Sequence, residues 1–198
     1  MTLRDTTALE TGRLRLRRIT EDDLDFYAAV HADPETAQYL AHGRPRPREE
    51  TVVWLANVLK GYDELQLGPL AVERRSDGAL LGRCGTSDMV IELQAGASAF
   101  PRAWFFRSTA ETSEPFRYEV ELGYTFARQY WGHGYATEAA RAVSDYALKT
   151  RQLPRLISVI HADNRRSLGV ARKFGLRFED TVELGGRPFG RLVWPTPA

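Results

Sequence analysis

The chain of 198 residues holds one cysteine, Cys84. A lone thiol excludes an internal disulfide framework and suits a reducing compartment. The four histidines, His31, His42, His133 and His161, are widely separated, with no His-x-x-x-His spacing and no paired cysteines, so no metal site is expected. No apolar run approaches the ~18 residues of a membrane-spanning helix, and residues 1–10 lack the apolar core of a secretory leader. The expectation is therefore a cytoplasmic protein with no membrane partner. An excess of either charge is missing too: 27 Lys and Arg meet 26 Asp and Glu, and a net charge of +1 gives no global pull toward nucleic acid or anionic lipid. The arginines of Leu14-Arg15-Leu16-Arg17-Arg18-Ile19 have no interleaved aromatics and read as the solvated face of a strand, so no nucleic-acid partner is expected. Internal repeats and low-complexity stretches are absent.

What remains is a globular composition, 43% hydrophobic and 27% charged, in a chain long enough for one core. Residues 1–8 read as a flexible tail and 9–195 as a single domain. Thr20 followed by Asp23 is a capping-box-like start for a helix through Leu24, Tyr27, Ala28 and His31, which Asp33-Pro34 breaks. A second helix is expected from about Pro47 to Gly61. Leu70 to Arg74 and Leu80 to Thr86 read as a hairpin around Ser76-Asp77-Gly78. From Asp88 to Arg117 the chain carries too much sequence for a hairpin loop, including Met89-Val90-Ile91 and Trp104-Phe105-Phe106. This insertion is expected to be an extra β-segment, a lid or a subunit contact, which would allow a homodimer. Leu156 to Ile160 is a nearly continuous apolar run, the signature of a central parallel strand, and a hairpin closes the chain around Gly185-Gly186-Arg187-Pro188.

The most informative stretch joins an alternating strand to an alanine-rich helix. Tyr118, Val120, Leu122, Tyr124 and Phe126 share one strand face; Glu119, Glu121, Gly123 and Thr125 share the other. Ala136, Ala139, Ala140, Val143 and Ala147 form the helix stripe, with Glu138, Arg141 and Asp145 expected as solvent-side pairs. Between strand and helix, Gly132 and Gly134 let backbone N–H groups approach a phosphate beside a helix N-terminus. Gly132-x-Gly134-x-x-Thr137 lacks the third glycine and the acidic ribose partner of a dinucleotide fingerprint, which counts against NAD.

Gln129-x-x-Gly132-x-Gly134 before such a helix resembles the acyl-CoA pyrophosphate loop of the GNAT superfamily of N-acyltransferases. With Glu121-Leu122-Gly123-Tyr124 before it and Asn164-Arg165-Arg166-Ser167 after it, the chain is similar to the ribosomal-protein N-terminal acetyltransferases of the RimJ/RimL type. The resemblance implies an α/β domain whose mixed central β-sheet has splayed parallel strands flanked by helices. It also implies acetyl-CoA as co-substrate, no metal, and acetyl transfer to a primary amine by direct attack, the acceptor being a protein or peptide N-terminus or a small molecule. A catalytically silent CoA-binding or partner-binding module is the alternative. The implied cofactor set is Tyr124, Phe126, Ala127, Arg128, Gln129, Trp131, Gly132, His133, Gly134, Tyr135, Ala136, Thr137, Asn164 and Ser167. In related enzymes the asparagine holds the pantetheine arm and a hydroxyl such as that of Ser167 meets the sulfur; Asn164 also reads as a helix N-cap. Arg165, Arg166, Arg172 and Lys173 are candidates for the 3′-phosphate.

For the base there are two candidates. Glu121 shares a strand face with Glu119, and two neighbouring carboxylates raise one pKa. Glu183 matches by spacing after Ser167 a glutamate of the RimL-type branch. An ordered water is the third possibility. The resemblance further implies that residues 33–50 wall the acceptor side.

Overall fold

Nine strands join in one mixed sheet in the computed structural model, which describes residues 9–64 and 68–195. The expected tail, residues 1–8, lies outside the described residues. The order along the chain is β1 (Leu9–Glu10), β2 (Leu14–Arg18), α1 (Leu24–Ala32), α2 (Pro34–Ala37), α3 (Arg48–Glu64), β3 (Pro69–Arg74), β4 (Leu80–Glu92) and β5 (Arg102–Phe105). It continues with β6 (Phe116–Phe126), α4 (Tyr135–Asp145), β7 (Ile157–Ile160), α5 (Arg165–Lys173), β8 (Arg177–Leu184) and β9 (Arg187–Val193). This is a mixed α/β domain. No described helix is long and apolar enough to cross a membrane.

Local chemistry explains the helix starts. Thr20 and Asp23 cap each other at the short 3-10 turn that leads into α1, and the Asp33 carboxylate accepts from the Thr36 N–H at the start of α2. One expected stop fails: α3 runs through Gly61. Its next residue, Tyr62, is buried and its hydroxyl bridges the Ile19 N–H and the Pro69 carbonyl, so tertiary contacts outweigh the low helix propensity of glycine.

β4 organises the sheet. Its first half pairs with β3, its end (Met89–Ile91) pairs with β5, and its opposite edge pairs along its length with β6. β5 lies parallel to β8, and β8, β9 and β7 continue antiparallel to a single parallel pairing between β7 and β6. The pairings β4–β5–β8–β9–β7–β6–β4 thus form a closed circuit. Met89, Ile91, Ala103, Ile157, Val182, Leu184 and Phe189 make its core. On the other side Leu122, Phe126, Ala139, Ala140, Val143 and Trp194 pack β6 against α4, while Ile19, Tyr27, Trp54, Leu55 and Val58 join α1 and α3 to the sheet.

Much of residues 88–117 is therefore strand. The expected end of β4 at Thr86 is overrun to Glu92, Arg102–Phe105 is β5, and Phe116 already belongs to β6. Glu92, buried, holds the excursion together by accepting from the Arg102 backbone, the Arg102 guanidinium and the Thr112 hydroxyl.

Candidate active site

The one register pair between the parallel strands β6 and β7 is Glu121 with Ile157; beyond it they diverge toward their carboxyl ends. The Ser158 hydroxyl donates to the Leu122 carbonyl (2.6 Å) and accepts from Trp194 Nε1 (3.1 Å), which fixes the apex of this wedge. Neither Ser158 nor Trp194 stood out in the sequence, because their roles exist only once three distant segments meet. A cavity of about 980 Å³ opens from the wedge, and Glu121, Tyr124, Gly132, Gly134, Asn164 and Ser167 are among the residues that line it.

Its glycine end is built as an anion cradle. Gly132 and Gly134 have φ of +81° and +80°, a region that favours glycine. A Cβ at Gly132 would meet nothing within 4 Å, so the space above it is open to a ligand. The first backbone bond of α4 runs from the Glu138 N–H to the Gly134 carbonyl, which leaves the N–H groups of Tyr135, Ala136 and Thr137 without intrahelical partners beside the cavity. Such a row of donors at a helix start fits a diphosphate. Trp131 Nε1 donates to the Phe126 carbonyl (2.7 Å), pinning the loop to the end of β6.

Arg13 is the residue the sequence reading missed here. It ion-pairs with Glu138 (2.7 Å), donates to the His133 carbonyl (3.0 Å) and lies over the Tyr135 ring (4.7 Å), clamping the loop from the start of β2. Burial would raise the Glu138 pKa, but bonds from Thr11 and Arg13 bring it below the usual carboxylate range. The expected solvent-side pairs of α4 are replaced: Glu138 serves Arg13, Arg141 stacks on Phe174, and Asp145 pairs with Lys149.

The remaining members of the expected cofactor set divide. Phe126, Trp131, Tyr135, Ala136 and Thr137 also line the cavity, whereas Ala127, Arg128, Gln129 and His133 do not. Ala127 is tied to the Leu81 carbonyl, Arg128 pairs with Glu35, Gln129 is exposed, and His133 stacks on Tyr135. The Asn164 side chain caps α5 by accepting from the Ser167 N–H (3.1 Å). Tyr124 donates to the Ser167 carbonyl (3.4 Å), which sets two hydroxyl side chains together on the α5 side; burial raises the Tyr124 pKa. Arg166 lies over Trp131 (4.8 Å), and Arg165, Arg166 and Lys173 line the cavity, while Arg172 does not.

The two glutamates proposed as base differ sharply in position. Glu121 is buried at the apex, its carboxyl facing the Val159 N–H and lying over Gly123, where a Cβ would come within 2.8 Å of Oε2. Desolvation pushes its pKa up to about 8, and Arg83 and the Val159 N–H oppose the rise. Burial is the cause, and proximity to Glu119 is not: Glu119 is engaged by Arg155, Arg117 and Arg191. Glu183 is outside the cavity lining, next to Arg102 across the β5–β8 pairing, while its neighbour Leu184 faces the cavity.

The cavity is also lined by residues of α3, of β5 and of the turn after it, including Trp54, Asn57, Trp104 and Phe106, and by Arg46 and Arg83. Phe106 adopts a φ of +63°, and its turn is held by bonds from the Phe106 and Arg107 N–H groups to Asp88. A non-glycine residue in this region costs on the order of 1 kcal/mol or more and persists because the surroundings impose it.

The description of one protein family, "Acetyltransferase (GNAT) domain", matches residues 13–177. The chain is 30% identical to the protein YkkB of Bacillus subtilis over 92% of either chain. It superposes on an acetyltransferase from Agrobacterium tumefaciens with a TM-score of 0.70 and 25% identity, covering 96% of this chain and 94% of that one. The fold also matches RimL, a ribosomal L7/L12 alpha-N-protein acetyltransferase solved with coenzyme A, at a TM-score of 0.68 and 12% identity, covering 96% and 98%.

Proposed function

The chain belongs to the GNAT acetyltransferase family and is an acyl-CoA-dependent acetyltransferase; from that premise we propose that it acetylates a primary amine by direct attack in a ternary complex, with Glu121 as the base. The observation that carries the assignment is the place of Glu121: a buried carboxyl at the wedge apex, within one cavity with the glycine cradle, with a pKa of about 8. A base near neutral pH can take a proton from an ammonium and still hold it.

Acetyl-CoA supplies an acyl carbon on a thiol leaving group, so that the nitrogen forms a C–N bond as the C–S bond breaks and no metal or enzyme nucleophile is required. The amide donors at Gly132 to Thr137 would hold the diphosphate, each bond to a charged oxygen contributing about 1.5–3 kcal/mol. Glu121 takes one proton from the incoming ammonium and frees its lone pair. The Ser167 hydroxyl, and that of Tyr124 once it turns from the Ser167 carbonyl, are the donors available to the departing sulfur, and the second nitrogen proton leaves to solvent. Holding amine and thioester in register contributes roughly 7–11 kcal/mol. The lone, buried Cys84 suits a cytoplasmic enzyme. RimJ/RimL-like kinship rests on the motifs and the shared fold, and a protein N-terminus is one acceptor to test.

Gly134→Val tests the cradle. It should abolish saturable acetyl-CoA binding in calorimetry while leaving the melting transition cooperative; unchanged binding would refute the assignment.

A further inference from the structure

Arginines in this protein are generally provided for. Arg17 is bound by Asp23 and Glu73, Arg102 by Glu92, Arg155 by Glu119 and Glu179, and Arg191 by Asp180. Two arginines that line the cavity break this habit. Arg83 has a buried Nε with no hydrogen-bond partner, forms no ion pair among the described residues, and lies over the face of Trp54, 5.4 Å away. Arg46 forms no side-chain hydrogen bond or ion pair among the described residues; the nearest carboxylate on its own side, Glu50, is taken by Arg44 at 2.7 Å. The two cations are close enough that Arg83 opposes the charge on Arg46. Burial and then Arg83 bring the Arg46 pKa down to about 10. His31, lying edge-on to Trp54 at 4.8 Å and bonded to Thr51, is lowered to about 3 by burial, Arg83 and Arg46, and supplies no negative charge.

Two guanidinium groups near each other in one cavity, with no ion pair among the described residues and only the more distant Glu121 and Glu50 to offset their charge, are costly to the folded protein unless an anion enters between them. Arginine is the side chain best shaped for a carboxylate, through paired N–H donors. The register gives the spacing to the base. Arg83 pairs across the sheet with Thr125, and Glu121 lies four residues back along β6 on the same face. Its carboxyl folds toward Arg83, over Gly123, so that about one two-residue repeat, roughly 7 Å, separates the carboxyl from the Arg83 row. Gly123 contributes no side chain to that gap. A short molecule spanning it meets a base at one end and cations at the other.

We infer that the acceptor is a small amine carrying a carboxylate a few bonds from its nitrogen, with the carboxylate held between Arg83 and Arg46 and the nitrogen delivered to Glu121. The inference rests on the acetyl-transfer reading above and narrows its acceptor. A protein N-terminus whose first residue is not acidic offers no carboxylate at that distance and does not satisfy the two arginines.

The test uses matched amines: free amino acids, their carboxamides, aminoalkyl phosphates, and a peptide with a free N-terminus. With acetyl-CoA and wild-type protein, thiol release should be at least 100-fold more efficient in kcat/KM for the best carboxylate than for its carboxamide. Arg83→Gln and Arg46→Gln should each raise KM for that carboxylate at least tenfold, with acetyl-CoA affinity unchanged and the preference for carboxylate over carboxamide lost. Arg46→Gln, nearer the rim, keeps the test valid should Arg83→Gln fold poorly. Equal use of carboxylate and carboxamide, or preference for the phosphate or the peptide, overturns the inference. Calorimetric titration of the same amines into CoA-loaded protein separates the two readings. Carboxylate binding that Arg46→Gln abolishes, without any turnover, supports the arginine site and refutes acetyl transfer; no carboxylate binding refutes the arginine site.

Discussion

Glu119 and Glu121 stand two residues apart on one face of β6, both buried, yet their surroundings differ in kind. Glu119 is ringed by Arg155 at 3.0 Å, Arg117 at 3.3 Å and Arg191 at 3.7 Å, in a cluster that also takes in Glu179 and Asp180. Glu121 has no cation within ion-pairing distance among the described residues and faces the wedge. The first carboxylate is met by three guanidinium groups; the second has only the Val159 N–H and a more distant Arg83 against its burial and so holds its proton to about pH 8. A saturated charge stabilises, and an unsaturated one is available for chemistry or for a ligand. In ion pairing alone, the same contrast separates Arg191, which meets Glu119, Glu179 and Asp180, from Arg83 and Arg46.

The sharpest way to break the comparison is Glu121→Gln. Turnover should fall by about 10²–10⁴ with acetyl-CoA binding intact, and the wild-type loss of kcat/KM as pH falls through about 8 should vanish from the residual activity. Steady-state kinetics across pH decide it; a retained acid limb would move the base elsewhere. The reciprocal change, Glu119→Gln, should cost about 3 kcal/mol of stability, on the order of 10 °C in melting temperature, because Arg191 and Arg155 lose a shared partner. Below its melting point that variant should keep the wild-type pH profile.

A finer test uses stability itself. The folded pKa of Glu121 is above its ordinary 4.5, so between 4.5 and about 8 the native state binds more protons than the unfolded chain, and this contribution is full below 4.5 and lost as pH rises through 8. Urea titrations should therefore show Glu121→Gln gaining on wild type as pH rises across that window; a constant difference would mean that Glu121 ionises normally. The smallest effect is expected from Arg13→Ala, which removes a half-exposed pair with Glu138. Stability should change by about 1 kcal/mol or less, and calorimetry should show acetyl-CoA binding weakened a few-fold as the cradle loop loosens.

Local pattern made much of this visible in the sequence. The alternation along β6, the glycine cradle, the caps of α1 and α5 and the apolar run of β7 are signals written within a few residues, and the structure contains those elements. Glu121 is recognisable as a candidate from its pairing with Glu119 along the strand, but the cause of its raised pKa is desolvation. The long-range features were hidden. β5 pairs with β8 some eighty positions later, and no local composition announces a parallel partner at that separation. Arg83 looked like any charged strand residue until Trp54 of α3 and the opposite strand enclosed it. Glu183 matched only by spacing, and spacing does not say which face of a strand a residue takes.

Gly123 carries one more implication. The Glu121 carboxyl lies over its missing side chain, and a methyl there would press on the flexible end of that carboxyl-bearing side chain, 2.8 Å away, and not on main chain. Gly123→Ala would thus pass a screen for solubility or folding while displacing the proposed base. Efforts to widen the acceptor repertoire by directed evolution should leave this strand floor alone and diversify the walls, at Trp54, Asn57, Trp104 and Phe106.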